Sequence, residues 1–175
     1  MWTSDDMLFC MLHNCESGLK MNKLNCCYYL YELAGFNFNL RYKLTAQGVE
    51  CREVNEFLDL ALSMNMVEVR DGVAYNTESG EDYYTEVVLF ADKWEKIDSI
   101  RDLIIHLTSD EVYFIVLTDM VISDVKRKQG VDALLYSRGN IVRTLSSLST
   151  EYSDENFESA IKIIRYIKGE LESYK

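Results

Sequence analysis

Cysteine and histidine are the residue types in this chain that are best suited to bind a metal ion or to attack a substrate. They stand at Cys10, His13, Cys15, Cys26, Cys27, Cys51 and His106. Structural zinc sites usually need two well-spaced ligand pairs such as Cys-x-x-Cys, and the sequence has no such pair. Cysteine is also among the most often buried residue types. We therefore interpret the thiols as core side chains and expect no metal and no cofactor.

Other catalytic patterns are weaker still. A cysteine nucleophile with His13 or His106 as its base would make a cysteine-dependent enzyme, but His106 directly follows Leu103, Ile104 and Ile105 and is interpreted as a structural residue at a helix end. The eight glycines form neither GxGxxG nor GxxxxGK, the loops that cradle phosphates. The sequence predicts a protein that is not an enzyme.

Carboxylates give the chain its most distinctive chemistry. The net charge is -11, and residues 50–99 hold thirteen acids against four bases, a local net charge of -9. Proteins that bind nucleic acids neutralise phosphates with Lys and Arg, so this segment would repel DNA and RNA. We expect no direct nucleic-acid contact and a protein partner with a basic surface.

Two groups of residues within this segment are candidates for binding that partner. Glu53, Glu56 and Asp59 fall opposite the apolar stripe of a predicted helix, and acids continue to Glu86. Tyr83 and Tyr84 stand among these acids, and tyrosine is enriched at interface hot spots. The alternatives are a solvated helix face for the acids and core packing for the tyrosines. The predicted partner-binding residues are Glu50, Glu53, Glu56, Asp59, Glu81, Asp82, Tyr83 and Tyr84.

Hydrophobic periodicity predicts a mainly α-helical protein of the α+β class. Apolar side chains recur every three to four residues at about 4–14, 22–35 and 51–64, which predicts helices. Alternation over 36–44 predicts a strand, and residues 46–50 are interpreted as a connection. The stretch "MVEVRDGVAYN" predicts a β-hairpin, because an Asp-Gly pair supplies the positive φ angles of a type I′ turn.

The second half of the chain is predicted to be helical. Residues 83–90 fit a helix slightly better than a strand, and a long apolar helix follows Ser109, with a buried strand as the alternative. A further helix or helix pair is predicted over 132–147, broken near Gly139, and Ser153 is predicted to cap the last helix. We expect one compact unit with two subregions: a winged-helix-like part with a small sheet, residues 1–90, and a helical part packed on it, residues 91–175.

Composition indicates where the protein resides. No apolar run approaches the roughly 20 residues that span a bilayer, and the first residues are acidic where a signal peptide is basic. Five cysteines, an odd number, are typical of reduced thiols. We expect a cytoplasmic protein with no membrane contact.

A family resemblance covers roughly residues 20–76. The helix "NKLNCCYYLYELAG", an aromatic strand, Gly48, the helix "CREVNEFLDLALSMN" and "MVEV" resemble the YwgA family and the related SocA, or Panacea-type, antitoxins. Those proteins carry a glycine-proline turn where this chain has Gly48-Val49-Glu50-Cys51, without the proline and the hydroxyls. The resemblance implies a winged-helix-like fold with helical additions. It also implies a role in toxin neutralisation or in phage and mobile-element defence, and it carries no catalytic residues.

The sequence therefore leads to one main hypothesis and two alternatives. The main hypothesis is a non-enzymatic, acidic inhibitor that sequesters a protein partner. It would be antitoxin-like or directed against a defence component, with mimicry of nucleic-acid charge as one mode of binding. The first alternative is a winged-helix transcription regulator that binds DNA through Lys20, Lys23, Arg41 and Lys43. The second is the cysteine-dependent enzyme. A homodimer is compatible with any of them.

Overall fold

The computed structural model describes residues 3–88, 94–129 and 133–172, and within these ranges the protein is mainly α-helical with a small antiparallel sheet. The chain forms two compact units, Met1–Ser109 and Asp110–Lys175. This boundary lies beyond the division expected at residue 90. The helix that follows residue 93 belongs to the first unit, where the backbone carbonyl of Ile97 accepts a hydrogen bond of 3.1 Å from the Tyr31 hydroxyl.

The first unit contains helices and short strands in alternation. In chain order they are α1 (Asp6–Leu12), β1 (Leu19–Lys20), α2 (Met21–Leu33), β2 (Tyr42–Thr45), β3 (Gly48–Cys51), α3 (Arg52–Ser63), β4 (Val67–Arg70), β5 (Val73–Asn76), α4 (Glu78–Val88) and α5 (Trp94–Ile105). The helices predicted at 4–14, 22–35 and 51–64 are confirmed. The helical interpretation of residues 83–90 is confirmed as far as Val88, and residues 89 and 90 lie outside the described ranges.

The three-stranded sheet has the order β1-β5-β4, with both pairs antiparallel. The turn between β4 and β5 places Asp71 at φ 51° and Gly72 at φ 75°, the positive angles that a type I′ turn requires. The predicted hairpin is confirmed. The strand order β1-β5-β4 does not by itself identify a winged helix, so that assignment stays a prediction.

The two-stranded sheet of β2 and β3 corrects the sequence prediction. The expected strand over 36–44 begins only at Tyr42, and β3 occupies most of the stretch that was interpreted as a connection. The reason is Glu32, whose Oε1 accepts hydrogen bonds from the backbone N–H groups of Phe38 (3.1 Å) and Leu40 (3.2 Å). Because a side chain satisfies these amides, the aromatic segment stays outside a sheet while Phe36 is buried.

The core of the first unit lies around α2. The predicted stripe of Leu24, Cys27, Tyr28 and Tyr31 is fully buried. The Tyr28 hydroxyl donates a hydrogen bond of 2.9 Å to the carbonyl of Ser4. The hydroxyls of Tyr28 and Tyr31 therefore each have a backbone acceptor, as buried polar groups need.

The second unit consists of α6 (Ser109–Gln129), α7 (Ala133–Leu148) and α8 (Asp154–Ile167). The break predicted near Gly139 is absent, since α7 continues through this residue. The predicted cap of the last helix is confirmed: the backbone N–H of Asn156 donates a hydrogen bond of 3.0 Å to Ser153 Oγ. A core cluster joins the three helices through Leu117, Val121, Ile122, Ile141, Leu145 and Phe157.

Among the described residues, no helix combines the length and the apolar character that crossing a bilayer requires.

Candidate interaction surface

Helix α3 turns one face to the core and one to solvent, and the solvent face is the first candidate surface. Val54, Leu58 and Ala61 are buried. On the other side Glu56 and Asp59 are exposed, and Glu53 is half-buried. The predicted placement of these acids away from the apolar stripe is confirmed.

Two large apolar side chains share this outer face with the acids. Leu60 is 52% exposed and Met64, the residue at the C-terminal cap, is 57% exposed. Residues four apart on a helix lie on the same side, so Glu56, Leu60 and Met64 form one row. We call the exposed side of α3, with Glu53, Glu56, Asp59, Leu60 and Met64, the α3 outer face. Leu60 and Met64 were not among the predicted partner-binding residues, and no local pattern in the sequence marks their exposure.

Basic side chains accompany the acids at the N-terminal end of α3. The guanidinium Nε of Arg52 donates a hydrogen bond of 2.7 Å to Glu56 Oε1, and Lys43 lies directly opposite Glu50 in the β2–β3 pair. The pKa of Glu53 is lowered, chiefly by its own backbone N–H and also by the Cys51 thiol and by Arg41. The partial neutralisation of these acids by Lys43 and Arg52 was not predicted, because β3, which places Lys43 beside Glu50, was interpreted as a connection.

Three predicted partner-binding residues instead attach α4 to α1. His13 Nδ1 is hydrogen-bonded to Glu81 Oε2, and the Tyr83 hydroxyl donates a hydrogen bond of 2.7 Å to Asp6 Oδ1. Tyr84 is only 7% exposed and its ring stacks on His13 with 3.7 Å between ring centroids. This burial corrects the prediction for Tyr84, which belongs to the core alternative and leaves the candidate surface.

The remaining exposed acids of α4 form a row. Glu78, Asp82 and Glu86 stand four residues apart and are all exposed, and the sequence of α4 contains no base. Like charges at this spacing destabilise a helix by a few tenths of a kcal/mol per pair. Hydrogen bonding to Asp6 raises the pKa of the neighbouring Tyr83 to about 12, and Glu86 contributes in the same direction. We call Glu78, Asp82 and Glu86 the α4 acidic row.

The thiols are poorly placed for nucleophilic catalysis. Cys10, Cys26, Cys27 and Cys51 are buried, and burial raises the pKa of Cys10 and of Cys27 to about 12. Such thiols stay protonated near neutral pH, whereas the thiolate is the nucleophile. Cys15 is half-buried, with its Sγ 3.4 Å from the carbonyl oxygen of Gly18.

In the parts of the chain that the structure describes, no three His, Cys, Asp or Glu side chains are grouped closely enough to hold a metal ion. His13 is the histidine closest in sequence to a thiol, and both of its ring nitrogens have partners. Nδ1 is hydrogen-bonded to Glu81, and Nε2 lies 2.8 Å from Asn14 Nδ2.

An open cleft of about 250 Å³ lies between the end of α1 and the β4–β5 hairpin. Its lining includes Glu16, Glu68, Arg70 and Tyr75. The guanidinium of Arg70 is hydrogen-bonded to Glu68 and lies 5.5 Å from the centre of the Tyr75 ring. The cleft therefore has its own cation beside its acids.

The basic residues of the transcription-regulator alternative do not form one set. Lys20, Arg41 and Lys43 are exposed, but Lys23 is only 9% exposed and its Nζ donates a hydrogen bond of 2.7 Å to the carbonyl of Leu107. A buried ammonium with a backbone partner is not available to a phosphate.

Comparisons with known proteins add no relative to this picture. The chain matches no protein-family model, no curated protein and no solved structure.

Proposed function

We propose that the protein is a non-enzymatic, acidic interaction protein of the cytoplasm that binds and inhibits, or sequesters, a protein partner with a basic surface. The partner class is a toxin or a nucleic-acid-binding defence component, in keeping with the resemblance to antitoxins. The observation that carries the proposal is the α3 outer face, where exposed Leu60 and Met64 stand beside Glu56 and Asp59.

The composition of this face suits a protein partner. Protein interfaces combine an apolar centre with a polar rim and are enriched in methionine. A helix that reads DNA instead presents Arg, Lys, Asn or Gln to the bases and phosphates. On α3 the only base is Arg52, and it is hydrogen-bonded to Glu56.

The α4 acidic row supports the basic character of the partner. Exposed charges of one sign raise the association rate with a surface of opposite charge. Glu78, Asp82 and Glu86 keep their like-charge repulsion on a helix that contains no base, so this row would favour a cationic surface. Such a row could substitute for the phosphates that a nucleic-acid-binding partner normally contacts.

The test is capture of the partner followed by charge reversal. A pull-down from the native cell lysate with mass spectrometry names the candidate, and its affinity is then measured for a variant with Glu53→Lys, Glu56→Lys and Asp59→Lys. Glu56 and Asp59 are exposed, so replacing each should change stability by about 0.5 kcal/mol or less. Glu53→Lys also removes the contacts of Glu53 with the Cys51 thiol and Arg41, so the variant should melt somewhat lower than the wild type but remain folded. Its binding should weaken, mainly through slower association.

A matched control separates local charge from total charge. Asp110, Glu155 and Glu172 are exposed and lie outside α3 and α4, and their replacement by Lys changes the net charge equally. This control should retain most of the affinity. A folded α3 variant with unchanged affinity would show that the acids of α3 are only a solvated face.

A further inference from the structure

We propose that the α3 outer face binds an amphipathic helix of the partner, with apolar residues at one end of the contact and Lys or Arg at the other. This inference rests on the proposed function and deepens it. It follows from the order of side chains along the face: Glu53 and Glu56 come first, and Leu60 and Met64 follow.

The row of Glu56, Leu60 and Met64 has the geometry of a packing ridge. Residues four apart are separated by about 6 Å along a helix axis, so the row is about 12 Å long. Ridges of this kind fit into the groove between the ridges of a second helix. About two turns of a partner helix, at about 5.4 Å per turn, would cover the row.

An extended peptide fits this face less well than a helix. A peptide that adds to a sheet edge needs unpaired backbone N–H and C=O groups. The backbone of residues 52–63 is helical, and its N–H and C=O groups are used within the helix or at its ends. The partner must therefore make its contacts through side chains.

Charge selects the polar end of the partner helix. The ion pair of Arg52 with Glu56 is exposed on both sides, 89% for Arg52 and 55% for Glu56, and such pairs contribute little stability. A cation from the partner can therefore share Glu56 at small cost. A second copy of this chain is the less suitable occupant, because each copy carries a net charge of -11.

Three synthetic helical peptides of about 18 residues provide the probe, with binding to the full-length protein followed by fluorescence anisotropy. The first carries leucines at one end of its contact face and lysines at the other end, the second replaces the lysines by glutamates, and the third replaces the leucines by serines. The serine peptide loses leucine burial, which contributes about 1.5–3 kcal/mol per leucine, and the glutamate peptide places like charges against the acids of α3. The leucine-lysine peptide should therefore bind at least about tenfold more tightly than each of the others. Equal binding of the serine-lysine peptide would show charge attraction alone and overturn the proposal. Absence of saturable binding would also overturn it.

Single substitutions locate the site. Leu60→Ser and Met64→Ser should each weaken binding of the leucine-lysine peptide about tenfold, and Asp59→Lys should reduce its preference over the glutamate peptide. Leu148 is also exposed, at 47%, but lies on α7, so Leu148→Ser should leave the affinity unchanged. Equal loss in Leu148→Ser would overturn the proposed site. A dimer in analytical ultracentrifugation that Leu60→Ser dissociates would assign the face to a second copy instead.

The inference and the proposed function fail in different ways. If the captured partner no longer binds the Leu60→Ser variant while the peptides ignore the wild type, the proposed function is supported and the helical occupant is overturned. If the peptides bind as expected but the triple lysine variant of α3 retains full affinity for the captured partner, the helix-binding property is supported and the proposed function is overturned.

Discussion

Lys168 Nζ donates a hydrogen bond of 2.8 Å to Oδ1 of Asp119, a residue that is only 2% exposed. Asp119 lies in the middle of α6, and Lys168 is the C-terminal cap residue of α8. Lys168 therefore places a positive charge beside the buried carboxylate of Asp119, in a unit whose core cluster is apolar.

The first prediction concerns this pair. Lys168→Met should lower the free energy of unfolding by about 2 kcal/mol, because the buried carboxylate loses a charged hydrogen-bond donor. Arg165→Met is the matched control on the same helix, since the pair of Arg165 with Glu170 is about half exposed on both sides. Its cost should stay below about 0.5 kcal/mol. Urea unfolding measures both, and equal effects would show that Asp119 does not depend on Lys168.

The second prediction is a loss of stability in alkali. Burial raises the pKa of Cys27 from 9.0 to about 12, so between these values the unfolded thiol ionises and the folded thiol does not. The stability that comes from this thiol is complete below about pH 9 and falls as the pH rises, by on the order of 1 kcal/mol at pH 10. Unfolding in reductant at pH 7.5 and at pH 10 should show a smaller drop in Cys27→Ala than in the wild type. Identical drops would contradict the burial effect.

The third prediction uses two glycines as opposite tests. Gly72 has φ 75° and open space around it, so Gly72→Ala should cost about 1 kcal/mol through backbone strain alone. Gly139 lies within α7, also with open space where a Cβ would be. Gly139→Ala should stabilise the protein by up to about 1 kcal/mol, because alanine favours helix. Thermal melting decides the signs, and destabilisation by Gly139→Ala would place the helix of α7 in doubt.

The fourth prediction concerns nucleic acids. Generic duplex DNA should bind more weakly than about 10⁻⁴ M at physiological salt, the weak end of ordinary non-specific binding. The reasons are the net charge of -9 over residues 50–99 and the burial of Lys23. A gel shift over a range of salt concentrations tests this. Micromolar binding that weakens steeply with salt would favour the transcription-regulator alternative.

Patterns that depend on neighbours in sequence predicted the structure well. The spacing of Leu24, Cys27, Tyr28 and Tyr31 predicted the buried side of α2, and Asp71-Gly72 predicted the hairpin turn. Both features follow from local periodicity and from backbone angles. The mainly helical fold was predicted for the same reason.

Features that depend on which side chains meet in the folded chain were missed. Glu32 satisfies the amides of Phe38 and Leu40, and no pattern in the aromatic segment shows that a carboxylate from the preceding helix replaces a strand partner. The predicted set of partner-binding residues was corrected for the same reason. Tyr84 stacks on His13, a residue 71 positions earlier in the chain. This contact buries a tyrosine that its acidic neighbours in sequence had indicated to be at the surface.

The sheet order has a consequence for synthesis on the ribosome. Strand β1 pairs with β5, so Leu19 can form its strand pair only after Ala74 has been synthesised. The side-chain amide of Asn76 also donates a hydrogen bond to the Phe9 carbonyl in α1. Ribosomes add about 5–20 residues per second, so roughly 50 residues take about 3–10 s. During that interval the adjacent thiols of Cys26 and Cys27 belong to a nascent chain whose core is incomplete. Because both thiols are buried once the unit has folded, we expect the yield of correctly folded chains to be higher when translation takes place in reductant.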